Sequence, residues 1–76
     1  MALTVLFLGR LLDAAGEGER TVEYRADVAE LIESFDAELA AALRSDKIRV
    51  AVNGAIGASS LADGDEVAFL PPVSGG

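Results

Sequence analysis

The chain contains no cysteine and no histidine. Thiolate nucleophiles, zinc sites built from Cys or His, and imidazole acid–base catalysis are therefore excluded. A small fold without disulfides holds through regular packing, which fits a reducing, cytoplasmic compartment. Positive charge is scarce as well: six Lys and Arg stand against 13 Asp and Glu, a formal net charge of −7. Phosphate binding needs clustered cations, so nucleic acid is not an expected partner, whereas a basic protein surface is. Long hydrophobic runs are missing too. The opening MALTVLFLGR is apolar but short and has no basic region ahead of it. It reads as a strand, and no signal peptide or membrane span is expected.

What is present is one small domain. A chain of 76 residues buries only roughly 60–65% of the surface its unfolded state exposes, so neither a second core nor a deep substrate cavity is expected. A hydrophobic fraction of 51% is high for that length. Some apolar surface should stay outside, a first sign of a partner. No internal repeat appears and no linker divides the chain.

Residues Leu3 to Leu8 form a β-prone run closed by Gly9, and RLLDAAG then supplies one or two helical turns ended by Gly16. RTVEYR alternates, with Val22 and Tyr24 on one face and Thr21, Glu23 and Arg25 on the other, as a half-buried strand does. A long helix follows. Asp27 caps it, Glu30 completes a capping box, and Val28, Leu31, Ile32, Phe35, Leu39 and Leu43 make one apolar stripe. Arg44 and Lys47 near its end suit the helix dipole. IRVAV from Ile48 is a third strand, Asn53-Gly54 a tight hairpin turn, and Ala55 to Gly57 a short return strand. LADGD is another turn. EVAFLP from Glu66 is the last strand, which Pro71 and Pro72 end by removing amide donors. This order predicts an α+β fold: a mixed sheet of about five strands with one long helix packed on one face.

Strand periodicity then raises a question about the sheet's other face. With Leu3, Val5 and Phe7 turned to the helix, Leu6 and Leu8 point away. Likewise Val67 and Phe69 face in while Ala68 and Leu70 face out; Ile48, Val50 and Val52 face in while Arg49 and Ala51 face out. An open sheet covered by a helix on one side ordinarily shows water a polar face. Here that face offers Leu6, Leu8, Ala51, Ala68 and Leu70, with Ile56 beside them. Burying such a patch at ~25 cal/mol per Å² supplies several kcal/mol, and it reads as a docking surface.

The tail FLPPVSGG raises the second question. Pro71 and Pro72 favour an extended exit from the last strand, and Val73 and Ser74 lead to Gly75 and Gly76, which carry no side chains. Residues 1–70 are thus expected to form the domain and 71–76 a flexible extended tail. Such a segment can thread a channel too narrow for any Cβ, and pre-extension by proline lowers the ordering entropy lost in doing so. Its chemical handle is the carboxylate of Gly76, reactive once a partner joins it to AMP. A sulfur donor that displaces AMP leaves a thiocarboxylate; a lysine amine leaves an amide bond. Elsewhere the chain offers no acid–base constellation. DGDE lacks the rest of a calcium loop, GEGE lacks the spacing of a nucleotide-binding loop, and Asp13 and Glu17 have no catalytic companion. Asp65 and Glu66 read either as contacts for basic residues on an activating enzyme or as plain solvated surface charges. The chain alone is expected to catalyse nothing.

AVNG, LADGDEVAFLPPVSGG and, more loosely, VLFLGRLLDAAG resemble the small subunit of molybdopterin synthase, a ubiquitin-like sulfur carrier. The resemblance spans the chain, and the C-terminal block is its specific part. It implies a β-grasp fold and a cycle in which a ubiquitin-activator-like enzyme uses ATP to adenylate Gly76. The adenylate is converted to a thiocarboxylate with sulfur that comes ultimately from a cysteine desulfurase. The tail then enters the large subunit and donates sulfur to cyclic pyranopterin monophosphate. Two transfers make the dithiolene of molybdopterin during molybdenum cofactor biosynthesis. It further implies a heterotetramer, no cofactor bound by the carrier itself, and an apolar contact patch at Leu8, Ile56 and Leu70. The alternatives are a ubiquitin-like modifier joined to lysines through Gly76, and a sulfur carrier for thiamine or another thiolated product.

Overall fold

Burial alternates strictly along the first strand, β1 (Ala2–Phe7), with Leu3, Val5 and Phe7 buried and Thr4 and Leu6 half-buried. This is the period-two signature of a strand with one face on a core. The computed structural model describes residues 1–72. After β1 come α1 (Leu11–Ala15), β2 (Glu19–Glu23), α2 (Val28–Glu33), α3 (Ala37–Leu43), β3 (Arg49–Val52), β4 (Ala55–Ile56) and β5 (Glu66–Leu70). Gly16 ends α1 at φ 82°, where only glycine sits without strain.

The strands form one mixed sheet in the order β2-β1-β5-β3-β4. The first and last strands lie side by side and parallel at its centre, and every other pairing is antiparallel. This is the β-grasp architecture. Inward residues of the three inner strands (Leu3, Val5, Phe7, Val52, Val67, Phe69) meet Leu11, Leu31, Ile32, Leu39, Ala40 and Leu43 of the helices in one core. Phe7 stacks on Phe69 with ring centres 6.0 Å apart and meets Phe35 edge-on at 5.8 Å.

The expected long helix is two short ones. Asp27 caps α2 as anticipated, accepting from the Glu30 amide at 2.8 Å. The break comes at Ser34, whose hydroxyl donates to the Leu31 carbonyl at 2.6 Å while its amide bends toward the same carbonyl at 3.1 Å. Such back-bonding competes with the helical ladder. Asp36 then adopts an extended conformation (φ −64°, ψ 162°) as the N-cap residue of α3. The apolar stripe survives because Leu31 and Ile32 of α2 and Leu39 and Leu43 of α3 still face the sheet.

Arg20 fills an inward position on the edge strand β2. Its guanidinium lies 5.4 Å from the Phe7 ring centre and 5.6 Å from that of Phe35. Glu17 holds Nε at 2.7 Å and the Ala15 carbonyl accepts from Nη2 at 2.8 Å. A cation thereby closes the end of an apolar core, its stem packed and its charge met.

Candidate functional site

The strand register assembles the sheet's outer face row by row. Leu6 pairs with Ala68, Ala68 with Ala51, and Ala51 with Ile56, so four apolar residues cross four strands in line. None of them belongs to the core cluster on the helical side. The next row pairs Leu70 with Arg49, and the Leu8 amide, which donates to the Phe69 carbonyl at 3.2 Å, brings Leu8 alongside Leu70. The row on the other side is polar, with Thr21 paired to Thr4 and Thr4 to Glu66. The apolar character of this face is therefore concentrated toward the end of the sheet where β5 exits.

Exposure across the face is uneven. Ile56 is 64% exposed and Leu8 40%, Leu70 is half-buried, and Ala51, expected to look outward, is only 8% exposed. Ala51 is a small side chain in the middle of the row, flanked on both sides by paired strands, so it forms floor and not protrusion. Leu12, on α1, is a further exposed apolar residue that strand periodicity had no means of flagging.

At the exit lies an open groove of about 570 Å³. Ile56, Leu70, Pro71 and Pro72 give it an apolar lining, and Asp46, Lys47 and Arg49 a charged one. It thus brings together two of the three patch residues expected from the sequence and the two prolines, while Leu8 stands outside it. The two cations were not singled out as site residues. They come from the loop before β3 and from its first residue, which the register places opposite Leu70. On a chain of net charge −7, this groove carries two positive charges against one negative. Val73, Ser74, Gly75 and Gly76 lie outside the described residues.

Gly9 is another residue that sequence reasoning left as a strand terminator. It has φ +55°, and a Cβ built on it would come within 2.7 Å of Pro71 Cγ. The turn after β1 therefore meets the base of the tail at a position where no side chain fits.

The acidic turn at the far end of the sheet is engaged within the chain. Asp65 accepts from the Ala62 amide at 2.8 Å and from the Asn53 side-chain amide at 2.9 Å. The first contact, helped by the second, holds its carboxyl below the ordinary value. Asn53 also accepts from the Glu66 amide at 2.9 Å and takes φ 50° beside Gly54 at 87°, the paired positive angles of the anticipated hairpin turn. A second depression, of about 440 Å³, lies beside Arg20 at the opposite sheet edge, where none of the sequence-predicted site residues is found. Among the described residues no group of three metal-binding side chains occurs, and no helix is long and apolar enough to cross a membrane.

Comparisons with known proteins agree with this geometry. The model of the ThiS family matches residues 5–76. Among solved structures, SAMP1 from Haloferax volcanii superposes with a TM-score of 0.79 at 27% identity, covering 100% of both chains. The complex of subunits 1 and 2 of molybdopterin-converting factor from Helicobacter pylori gives 0.71 at 26% identity, again covering 100% of both chains. The BexX/CysO complex of Amycolatopsis orientalis gives 0.69 at 35% identity, covering 99% of this chain and 100% of that one. No curated protein matches the chain.

Proposed function

The chain belongs to the ThiS family of ubiquitin-like sulfur carriers, and from that premise we propose that it is the sulfur-donating small subunit of molybdopterin synthase. The observation that carries this reading is the groove in which Ile56 and Leu70 adjoin Pro71 and Pro72. An interface seated there holds the body of the carrier while the tail, leaving from the same place, reaches into the partner. The likeness to a molybdopterin-converting factor solved as a complex of its two subunits supports the choice of partner.

In this reading the Gly76 carboxylate attacks the α-phosphorus of ATP on an adenylating enzyme and pyrophosphate leaves. A persulfide charged by a cysteine desulfurase then displaces AMP, and a thiol cleaves the resulting acyl disulfide, which leaves the thiocarboxylate on Gly76 and a disulfide on the donor. Docked on the large subunit, the tail passes that sulfur to cyclic pyranopterin monophosphate, water cleaves the acyl–sulfur bond and returns Gly76 as a carboxylate, and two such transfers complete the dithiolene. Leu8, Ile56 and Leu70 contact the large subunit, Pro71 to Ser74 span its channel, and Gly75 and Gly76 enter the active site. A large-subunit dimer carries one carrier at each end, in the cytoplasm. Catalytic groups belong to the partners.

Deleting Gly76 tests this directly. The truncated protein should keep its fold and its affinity for the large subunit while dithiolene formation falls to background; undiminished transfer overturns the reading. Intact mass spectrometry of the protein from its own cells should locate an oxygen-to-sulfur replacement at Gly76.

The likeness to SAMP1, named a small archaeal modifier protein, favours a second reading, attachment to lysines through Gly76. It requires Gly76-dependent isopeptide adducts in cells.

A further inference from the structure

The parallel ladder between β1 and β5 stops at Pro71. The Leu8 amide donates to the Phe69 carbonyl at 3.2 Å, and in a parallel pairing the amide two residues beyond Phe69 would donate back to the Leu8 carbonyl. That residue is Pro71, which has no N–H. The Leu8 carbonyl instead accepts from the Leu11 amide at 3.1 Å, at the entrance to α1. Among the described residues no ladder hydrogen bond fastens the base of the tail to β1.

What fastens it is packing against Gly9. The Pro71 ring sits so close that a Cβ on Gly9 would lie 2.7 Å from its Cγ, 3.6 Å from its Cδ and 3.9 Å from its Cβ. The first distance is shorter than atoms of a real side chain adopt. Gly9 is itself held, since its carbonyl accepts from the Leu12 amide at 3.1 Å and its φ of +55° suits glycine. The same Pro71 ring lines the groove beside Ile56 and Leu70.

We propose that Gly9 is a positioning residue: its bare α-carbon seats the Pro71 ring and so fixes the direction in which the tail leaves the sheet. The proposal rests on the sulfur-carrier reading for its consequence, because an active site reached through a narrow channel is sensitive to the angle of entry. The seat itself does not depend on that reading. A substitution at Gly9 should leave docking through Ile56 and Leu70 intact and impair delivery of the terminal sulfur.

The experiment uses full-length protein carrying a C-terminal thiocarboxylate, made by cleaving an intein thioester with ammonium sulfide. Single-turnover sulfur transfer to cyclic pyranopterin monophosphate is measured on the large subunit from the same cells. Gly9→Ala should lower the saturating rate at least tenfold and Pro71→Ala at least threefold, with the half-saturating concentration of the Gly9 variant within twofold of wild type. Asp13→Ala, at an exposed position of α1 outside the groove, serves as the control and should retain the wild-type rate. Because the two substitutions break one contact, the double variant should lose less than the product of the single losses. A purely structural role would lower thermal stability and leave the saturating rate of folded protein unchanged, and that result overturns the proposal, as do multiplicative losses. An inactive wild type would count against the sulfur-carrier reading and remove the catalytic consequence. The seat is then judged by NMR: a Gly9 Hα to Pro71 Hγ cross-peak supports it, and its absence refutes it whatever the sulfur chemistry shows.

Discussion

If the chain docks on the large subunit as proposed, replacing Ile56 by Ala should weaken that complex far more than it destabilises the free chain. Fully burying an aliphatic side chain is worth roughly 1.5–3 kcal/mol relative to leaving it in water. Ile56 is 64% exposed in the free chain, so about two-thirds of that gain remains to be realised on docking, roughly 1–2 kcal/mol. Leu8, at 40% exposed, retains roughly 0.6–1.2 kcal/mol. Converted to dissociation constants, truncating Ile56 should cost about 5- to 25-fold and truncating Leu8 about 3- to 7-fold. Neither residue belongs to the core cluster, so thermal unfolding should shift by no more than a few degrees. Isothermal titration of each variant against the large subunit, paired with a melting curve, measures both quantities. If Leu8→Ala costs more than Ile56→Ala, or if both leave binding unchanged, the groove at the β5 exit is not the centre of the interface.

Two further outcomes concern the far end of the sheet. Asn53→Ala removes two side-chain hydrogen bonds and forces alanine to φ 50°, a combined cost of roughly 2–4 kcal/mol; Asn53→Gly keeps the turn and should lose about half of that. Equal melting temperatures for the two variants would show that backbone conformation contributes nothing there. Asp65 gives a pH dependence: its folded carboxyl titrates below its ordinary value, chiefly through the Ala62 amide. Its contribution is thus complete above the unfolded carboxylate range, about pH 4, and lost as pH falls through the lower folded value. In acid titrations of urea midpoints, Asp65→Asn should flatten this limb; an unchanged slope refutes the assignment.

The sheet and its faces were legible in the sequence because strand period and turn chemistry are local. Leu3, Val5 and Phe7 could only alternate, and Asn53-Gly54 named a hairpin turn by the angles it tolerates. The helix break was not legible from apolar spacing, since Leu31, Ile32, Leu39 and Leu43 face the sheet whether one helix or two carries them. A second N-cap residue, Asp36, just after a back-bonding Ser34, was the signal available. Arg20 hid for another reason: period two put it inward, but hydropathy gives no expectation of a guanidinium resting on Phe7 and Phe35. The contact between Gly9 and Pro71 joins opposite ends of the chain, and neither residue advertises the other.

The groove's charge and the apolar row behind it act together on whatever docks at this end of the sheet. Small residues, Ala68 and Ala51, occupy the middle of a cross-strand row ended by Leu6 and Ile56, which keeps the floor low between larger side chains. A low apolar floor accepts many partners and discriminates among few. Lys47 and Arg49 add the discrimination, because they set positive charge beside the exit of an otherwise acidic molecule. A partner that offers carboxylates there is drawn in, and a basic surface is repelled from the groove while still attracted to the rest of the chain. In the proposed complex, charge placement orients the encounter and apolar contact holds it, at the end of the sheet from which Pro71 and Pro72 leave.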